Sequence, residues 1–234
     1  MYIKSFGSSS KGNCYLISDG FSSLLLEAGL SFDKVKKDVK LHKLSGCFVT
    51  HEHKDHSKYV SSLLYHCVKV YMTQGTKEAS KLEDNYNLIT CKYRQTVISG
   101  TFKVTFFETQ HDAKEPAGFL IESLKTGERL LFATDTYYIK YKFKNLDYIM
   151  IECNYDLDIL NRNIESGKIS SSRKNRILKS HFSLQNVVKY LKCLDLKKCK
   201  KIYLMHLSDD NSDELHFQET IMKIFFIETV VFDR

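Results

Sequence analysis

Proline is nearly absent from this 234-residue chain, which has one, and no Cys-x-x-Cys pair occurs among its seven cysteines. The odd number and the scatter of the thiols argue against a disulfide framework or a cysteine-built metal site. Cys14, Cys47, Cys67 and Cys153 stand among apolar or strand-like neighbours, so reduced thiols packed as small buried hydrophobes are expected. No run of about 18 apolar residues exists, which excludes a helix crossing a bilayer. The opening segment, Met1 to Gly7, lacks the basic-then-apolar plan of a signal peptide, and the expected compartment is cytoplasmic. Repeats and low-complexity linkers are also missing. What is present is 43% hydrophobic and 27% charged residues, a globular balance. The length suits a single domain spanning residues 1–234.

The net charge of +7 is unevenly spread. Between Ile159 and Lys201 stand twelve Lys and Arg against two acids, Glu165 and Asp195, so this segment carries +10 and the remainder about −3. A basic block on a near-neutral body is the footprint of a polyanion partner, although many charge runs are no more than solvated helix faces.

Short apolar runs bounded by glycine or polar clusters predict strands at Cys14 to Ile17, Ser23 to Ala28, Gly46 to Thr50, Thr101 to Phe107, Ala117 to Ile121, Arg129 to Ala133 and Tyr148 to Glu152. Helices are expected over Phe32 to Leu41, Ser57 to His66 and Gln74 to Leu82. The last third reads as helix from Leu184 to Leu194, strand from Lys201 to Met205, helix from about Asp213 to Phe225 and strand from Glu228 to Phe232. Strands in front and α/β alternation behind suit two sheets packed face to face with helices outside.

The densest chemical signal is Thr50-His-Glu-His-Lys-Asp-His56, directly after a strand and before a helix. A turn at a strand end can aim alternate side chains into one pocket. His51 and His53 can then grip one cation while Asp55 and His56 turn toward a second. Imidazole mixed with carboxylate suits Zn²⁺, Mn²⁺ or Fe, and hydrolytic sites use such ligand sets. Three histidines and an aspartate within six residues are far denser than a surface cluster arising by chance.

His-x-His-x-Asp-His after a strand resembles the signature of the metallo-β-lactamase-fold hydrolases, and the likeness runs along nearly the whole chain. It implies an α/β fold, a four-layer αββα sandwich. It also implies further metal ligands at His111, Asp135 and His206, with Asp135 shared. One ion would have His51, His53, His111 and Asp135; the other would have Asp55, His56, His206 and Asp135. Gly7 to Asn13, Glu27 to Ser31, His111 to Pro116, Glu152 to Asp156, His181 to Ser183 and His206 to Asn211 resemble more narrowly the WalJ/YycJ branch, a nuclease-like group of bacteria and phages. That resemblance implies a role on DNA, exonucleolytic cleavage included. The chain departs from the branch at Glu27, where relatives carry Asp; an acid there supports the ligands from behind, and the extra methylene bears on metal affinity and not on fold.

The resemblance implies a metal-dependent phosphodiesterase in which hydroxide between two cations (Zn²⁺ or Mn²⁺) attacks phosphorus. Asp55 would accept a proton from the water that becomes that hydroxide, or orient the hydroxide. His181, in Lys179-Ser-His-Phe-Ser183 and expected to open a helix, would contact the scissile phosphate or protonate the leaving oxygen. Arg173, Arg176 and Lys179 would neutralise flanking phosphates. The partner implied is nucleic acid, DNA first; no membrane and no obligate protein partner is implied. The alternatives are a small-molecule hydrolase of the same fold, acting on a thioester, lactone or cyclic nucleotide, and a nucleic-acid-binding relative with weak catalysis. With 45 residues between Asp135 and His181, there is no room for the large inserted domain of the β-CASP nucleases. The Gly7–Asn13 loop could offer backbone N–H groups to phosphate or be a plain tight turn. His42, His66 and His216 have no partner acids at ligand spacing and are expected to be structural.

Overall fold

A computed structural model describes residues 1–232. Its strands form two sheets, one of six (β1 to β6 in order) and one of seven (β13 to β7). The chain divides into two compact units, the first made of residues 1–108 and 113–129, the second of residues 109–112 and 130–232.

Unit 1 opens with β1 (Tyr2–Ser9) and β2 (Gly12–Ser18), an antiparallel hairpin in which Ser9 faces Gly12. The segment from Gly7 to Asn13 is therefore a tight hairpin and not a free loop. β3 (Ser23–Leu26), β4 (Leu44–Phe48), β5 (Val70–Thr73) and β6 (Leu88–Cys91) complete the first sheet, with β3 to β6 parallel. Side chains alternate across these strands. One face carries Leu16, Leu25, Cys47 and Val70, and these pack with Phe32 and Val35 of α1 (Phe32–Val35). The same core takes in Val60 and Leu63, which follow α2 (Lys54–Ser57) and lie on α3 (Val60–Tyr65). Helix α4 is Gln74–Ala79.

The opposite face carries Phe48, stacked on Tyr71 at 4.5 Å. Phe48 meets Phe106 at 6.0 Å and Phe119 at 5.7 Å. Those two belong to the antiparallel run β7 (Thr96–Ser99), β8 (Phe102–Glu108) and β9 (Ala117–Ser123). Aromatic burial on this scale dominates a core. The expected helix from Ser57 to His66 is split at Tyr59 into α2 and α3, and the helix from Phe32 to Leu41 ends at Val35.

Asp19 ties the β2–β3 turn to β8 and β9. Its Oδ1 accepts the N–H groups of Phe21 and Ser22 at 2.9 Å, and its Oδ2 accepts the hydroxyls of Thr101 at 2.6 Å and Ser123 at 2.7 Å. Partial burial pushes the carboxyl up, but these hydrogen bonds outweigh it and hold the group below the usual aspartate range. A depressed carboxyl adds stability that is present above the unfolded-state value of about 4 and lost as pH falls through the folded one. Asp19→Asn is therefore expected to lower unfolding free energy by about 2 kcal/mol at pH 7, the gap to wild type closing below about pH 4. Urea titrations from pH 3 to 7 measure it; a gap that does not change with pH would disprove the assignment.

Unit 2 is a parallel set: β10 (Arg129–Ala133), β11 (Tyr148–Glu152), β12 (Lys201–Met205) and β13 (Glu228–Val231). β10, β11 and β12 are buried after their first residue, as continuous apolar runs in a parallel sheet require. Helices α5 (Leu157–Glu165), α6 (Ser171–Ser180) and α7 (Leu184–Lys192) lie between β11 and β12, and α8 (Glu214–Phe225) precedes β13. Each starts on a capping side chain: Asp156, Ser170, Ser183 and Asp213 accept N–H groups of the first turn. Leu184, Val187 and Leu191 give α7 its buried stripe.

All seven cysteines are free; Cys14, Cys47 and Cys153 are buried as expected, Cys91 is buried too, but Cys67 is exposed. It follows α3 with a φ of 57°, at the surface end of that helix. Among the described residues no helix is long and apolar enough to cross a membrane.

Candidate metal centre

In unit 1, His51, His53, Asp55 and His56 leave the C-terminal end of β4. His51 and His56 are buried, and His53 and Asp55 half-buried. The His51 ring lies 4.6 Å from that of His53 and 4.3 Å from that of His56. The Thr50 hydroxyl meets His51 Nδ1 at 2.8 Å, fixing that ring. His56 Nε2 stands 3.2 Å from Asp55 Oδ2.

Two further residues organise this half. Glu27, fully buried, accepts the Thr50 N–H at 3.3 Å and stands 3.6 Å from His56 Nδ1. Burial pushes its carboxyl above the usual range, against the lowering effects of His56 and Thr50. Glu27 stands where the backbone turns, at a φ of 68°. Asn13, on the second strand of the Gly7–Asn13 hairpin, is also fully buried. Its amide donates to Ser9 O at 3.0 Å and to Asp55 Oδ2 at 3.2 Å, and stands 3.2 Å from His56 Nε2. Gly29 lets this packing occur: a Cβ there would come 1.7 Å from the Asp55 carbonyl oxygen.

In unit 2, His111, Asp135, Glu152, His181 and His206 gather. Asp135 follows β10 and His206 follows β12, both at strand ends with positive φ (45° and 53°). Asp135 Oδ1 is 3.5 Å from His206 Nδ1, and Asp135 Oδ2 is 3.6 Å from His111 Nε2. His111 Nδ1 donates to the Ser180 carbonyl at 2.8 Å, which turns Nε2 toward the carboxylate. Asn154 donates to the His206 carbonyl at 2.8 Å.

Glu152 is the organising acid. It is fully buried, and its Oε2 accepts the N–H groups of Thr136 at 2.9 Å and Phe182 at 3.2 Å. Its Oε1 meets His181 Nδ1 at 2.6 Å and lies 3.4 Å from His206 Nδ1. Burial opposes the charged form of both partners, but their mutual attraction wins. It holds the carboxyl of Glu152 below its usual range and the imidazole of His181 above its own. His181 does not open a helix; it caps the C-terminal end of α6, and α7 starts three residues later.

Donor atoms of Asp135, Glu152, His181 and His206 all lie within 4.8 Å of one another. Two buried carboxylates side by side are favourable only with positive charge close to both. Mixed imidazole and carboxylate donors are the set that divalent metals take, so the donor chemistry of both units fits such an ion.

The basic segment resolves into two kinds of cation. Lys168 and Arg173 pair with Asp210, Lys198 and Lys200 with the buried Asp147, and Lys201 with Glu228. Arg176 and Lys179, both exposed on α6, line a cleft of about 640 Å³ together with His111, Tyr137 and Ser180. Arg173 is not among the residues lining it. His42, His66 and His216 are exposed and belong to none of the donor groups described above.

Residues 21–207 match the family model described as the beta-lactamase superfamily domain. The chain belongs to that family and is a metal-dependent hydrolase. It is 29% identical to the exodeoxyribonuclease WalJ of Streptococcus pneumoniae serotype 2, over 88% of this chain and 81% of that protein. Identity to the exodeoxyribonuclease YycJ of Bacillus anthracis is 28%, over 91% and 84%. Among solved structures, the metallo-β-lactamase fold protein YhfI of Bacillus subtilis superposes with a TM-score of 0.72 at 17% identity, covering 99% of this chain and 95% of that one. The expected fold class, α/β in the metallo-β-lactamase arrangement, is the one found.

Proposed function

We propose that this chain hydrolyses phosphodiester bonds of nucleic acid, DNA in the first place, and works inward from an end as an exonuclease. The names of the two bacterial relatives support the substrate class. The observation that carries the chemistry is the buried Glu152–His181 pair beside Asp135 and His206, in the unit whose cleft is lined by His111, Arg176 and Lys179. By the family resemblance, His51, His53, His111 and Asp135 would hold one divalent ion, and Asp55, His56, His206 and Asp135 a second, Zn²⁺ or Mn²⁺. Bound there, the ions would supply positive charge at the phosphoryl oxygens and lower the pKa of a water.

The chain's own residues do the rest. Asp55 orients the attacking water and accepts its proton. Asn13 and Glu27 hold Asp55 and His56 in place. Glu152 keeps His181 protonated, and His181 gives its proton to the leaving oxygen. Arg176 and Lys179 neutralise phosphates flanking the scissile one. Arg173, paired with Asp210, contributes to the same field from further along α6. Seven free thiols suit the reducing cytosol as the working compartment.

The test is a panel of linear duplex DNA, single-stranded DNA and RNA incubated with Mn²⁺ or Zn²⁺, with and without EDTA. Release of mononucleotides from DNA ends, abolished by EDTA, is expected. Hydrolysis of a thioester or lactone with no cleavage of nucleic acid would overturn the reading in favour of a small-molecule hydrolase.

A further inference from the structure

Beside the His111 cleft, and still within unit 2, lies a second groove of about 400 Å³. Its walls are aromatic: Tyr137, Tyr138, Phe182 and Tyr190, with Lys142 and Lys189 also lining it. Tyr137 and Tyr138 are 39% and 55% exposed, a high exposure for two adjacent large rings. Their loop is nevertheless built. The Tyr137 N–H donates to Gln110 O at 3.1 Å, the Thr136 hydroxyl donates to Tyr138 O at 2.8 Å, and the Tyr190 hydroxyl donates to Tyr141 O at 3.1 Å. Phe182 and Tyr190 already form a stack, 6.2 Å between centroids and 29° between planes.

Two connections tie this groove to the site. Tyr137 lines both the groove and the cleft of His111, Arg176 and Lys179. Phe182 follows His181 in the chain, and its N–H is held by Glu152. Flat apolar walls with cations at hand suit a heteroaromatic ring attached to a phosphate. An aliphatic ligand would leave the lysines without counter-charge, and a simple polyanion would leave the rings without contact.

We infer that this groove is a nucleobase subsite, taking the base of a nucleotide next to the scissile phosphate by stacking on Tyr138 and Tyr137, with Lys142 and Lys189 on its backbone. The inference rests on the nucleic-acid reading above. Aromatic stacking is tolerant of base identity, so the subsite grips single-stranded ends of any sequence. Asn186 also lines the groove, and its amide is of a type that hydrogen-bonds base edges.

The test uses the full-length metal-loaded protein and a fluorescein-labelled hexathymidylate with phosphorothioate linkages, read by anisotropy. Hydrolysis of bis(p-nitrophenyl) phosphate, which has no base, is measured alongside. Tyr138→Ala is expected to weaken oligonucleotide binding roughly tenfold or more, with Tyr138→Phe close to wild type and aryl phosphodiester hydrolysis unchanged in both. Lys189→Gln is expected to weaken binding less and to flatten its salt dependence. Oligonucleotide affinity of Tyr138→Ala within twofold of wild type would overturn the inference, and so would equal competition by inorganic polyphosphate in wild type and variant. If the protein binds the oligonucleotide in a Tyr138-dependent way yet cleaves neither nucleic acid nor aryl phosphodiester, the subsite stands and the phosphodiesterase reading falls.

Discussion

Asp135→Asn is expected to lower phosphodiester cleavage about a thousandfold or more, the loss of several kcal/mol of charge stabilisation, and to reduce bound metal. In the proposed centre this carboxylate is the ligand common to both ions, and a neutral amide cannot balance two dications. The fold has no comparable stake in it. Asp135 sits at a φ of 45°, a conformation that asparagine adopts more readily than most residues. Thermal unfolding of the metal-free variant should therefore match that of the metal-free wild type, while metal analysis and turnover collapse. Two ions per chain with undiminished turnover would remove Asp135 from the centre.

The second large effect belongs to His181. His181→Ala is expected to lower kcat on DNA by about 10²–10⁴-fold, with KM little changed. The loss should shrink markedly on bis(p-nitrophenyl) phosphate, because p-nitrophenolate departs without needing a proton. Glu152→Gln should fall between wild type and His181→Ala on DNA. Its amide can still accept the N–H groups of Thr136 and Phe182 but no longer holds His181 in its charged form. An equal drop on both substrates in His181→Ala would argue that the residue shapes the pocket and does not transfer a proton.

Much of this site could be read in the chain because it lies where strands end. A histidine or aspartate directly after an apolar run, as at His51, Asp135 and His206, is a local pattern. The supporting residues were harder to read. Glu152 looks like the last residue of a strand, and only the fold brings it to His181, 29 positions away. Asn13 lies in a Ser/Gly hairpin, and it becomes meaningful once the chain returns with Asp55 and His56 beside it.

Among the elements, β11, β12, α7 and α8 follow clear apolar periodicities and were legible. Helix α6 was not: within Ser-Ser-Arg-Lys-Asn-Arg-Ile-Leu-Lys-Ser only Ile177 is buried among its apolar side chains. Its start depends on the Ser170 cap, not on an apolar stripe. Strand β1 escaped notice because its register on β2 shifts between Ser5 and Gly7, breaking the alternation that marks a strand.

The positive φ angle of Asp135 sets heat resistance against the proposed chemistry. A side chain with a Cβ is held there at a cost of about 1 kcal/mol or more, and glycine would relax it. A selection for survival at elevated temperature, blind to turnover, would favour glycine at that position, which also removes a carboxylate buried close to Glu152. The survivors would be sturdier proteins of the same shape, stripped of the one carboxylate proposed to serve both cations.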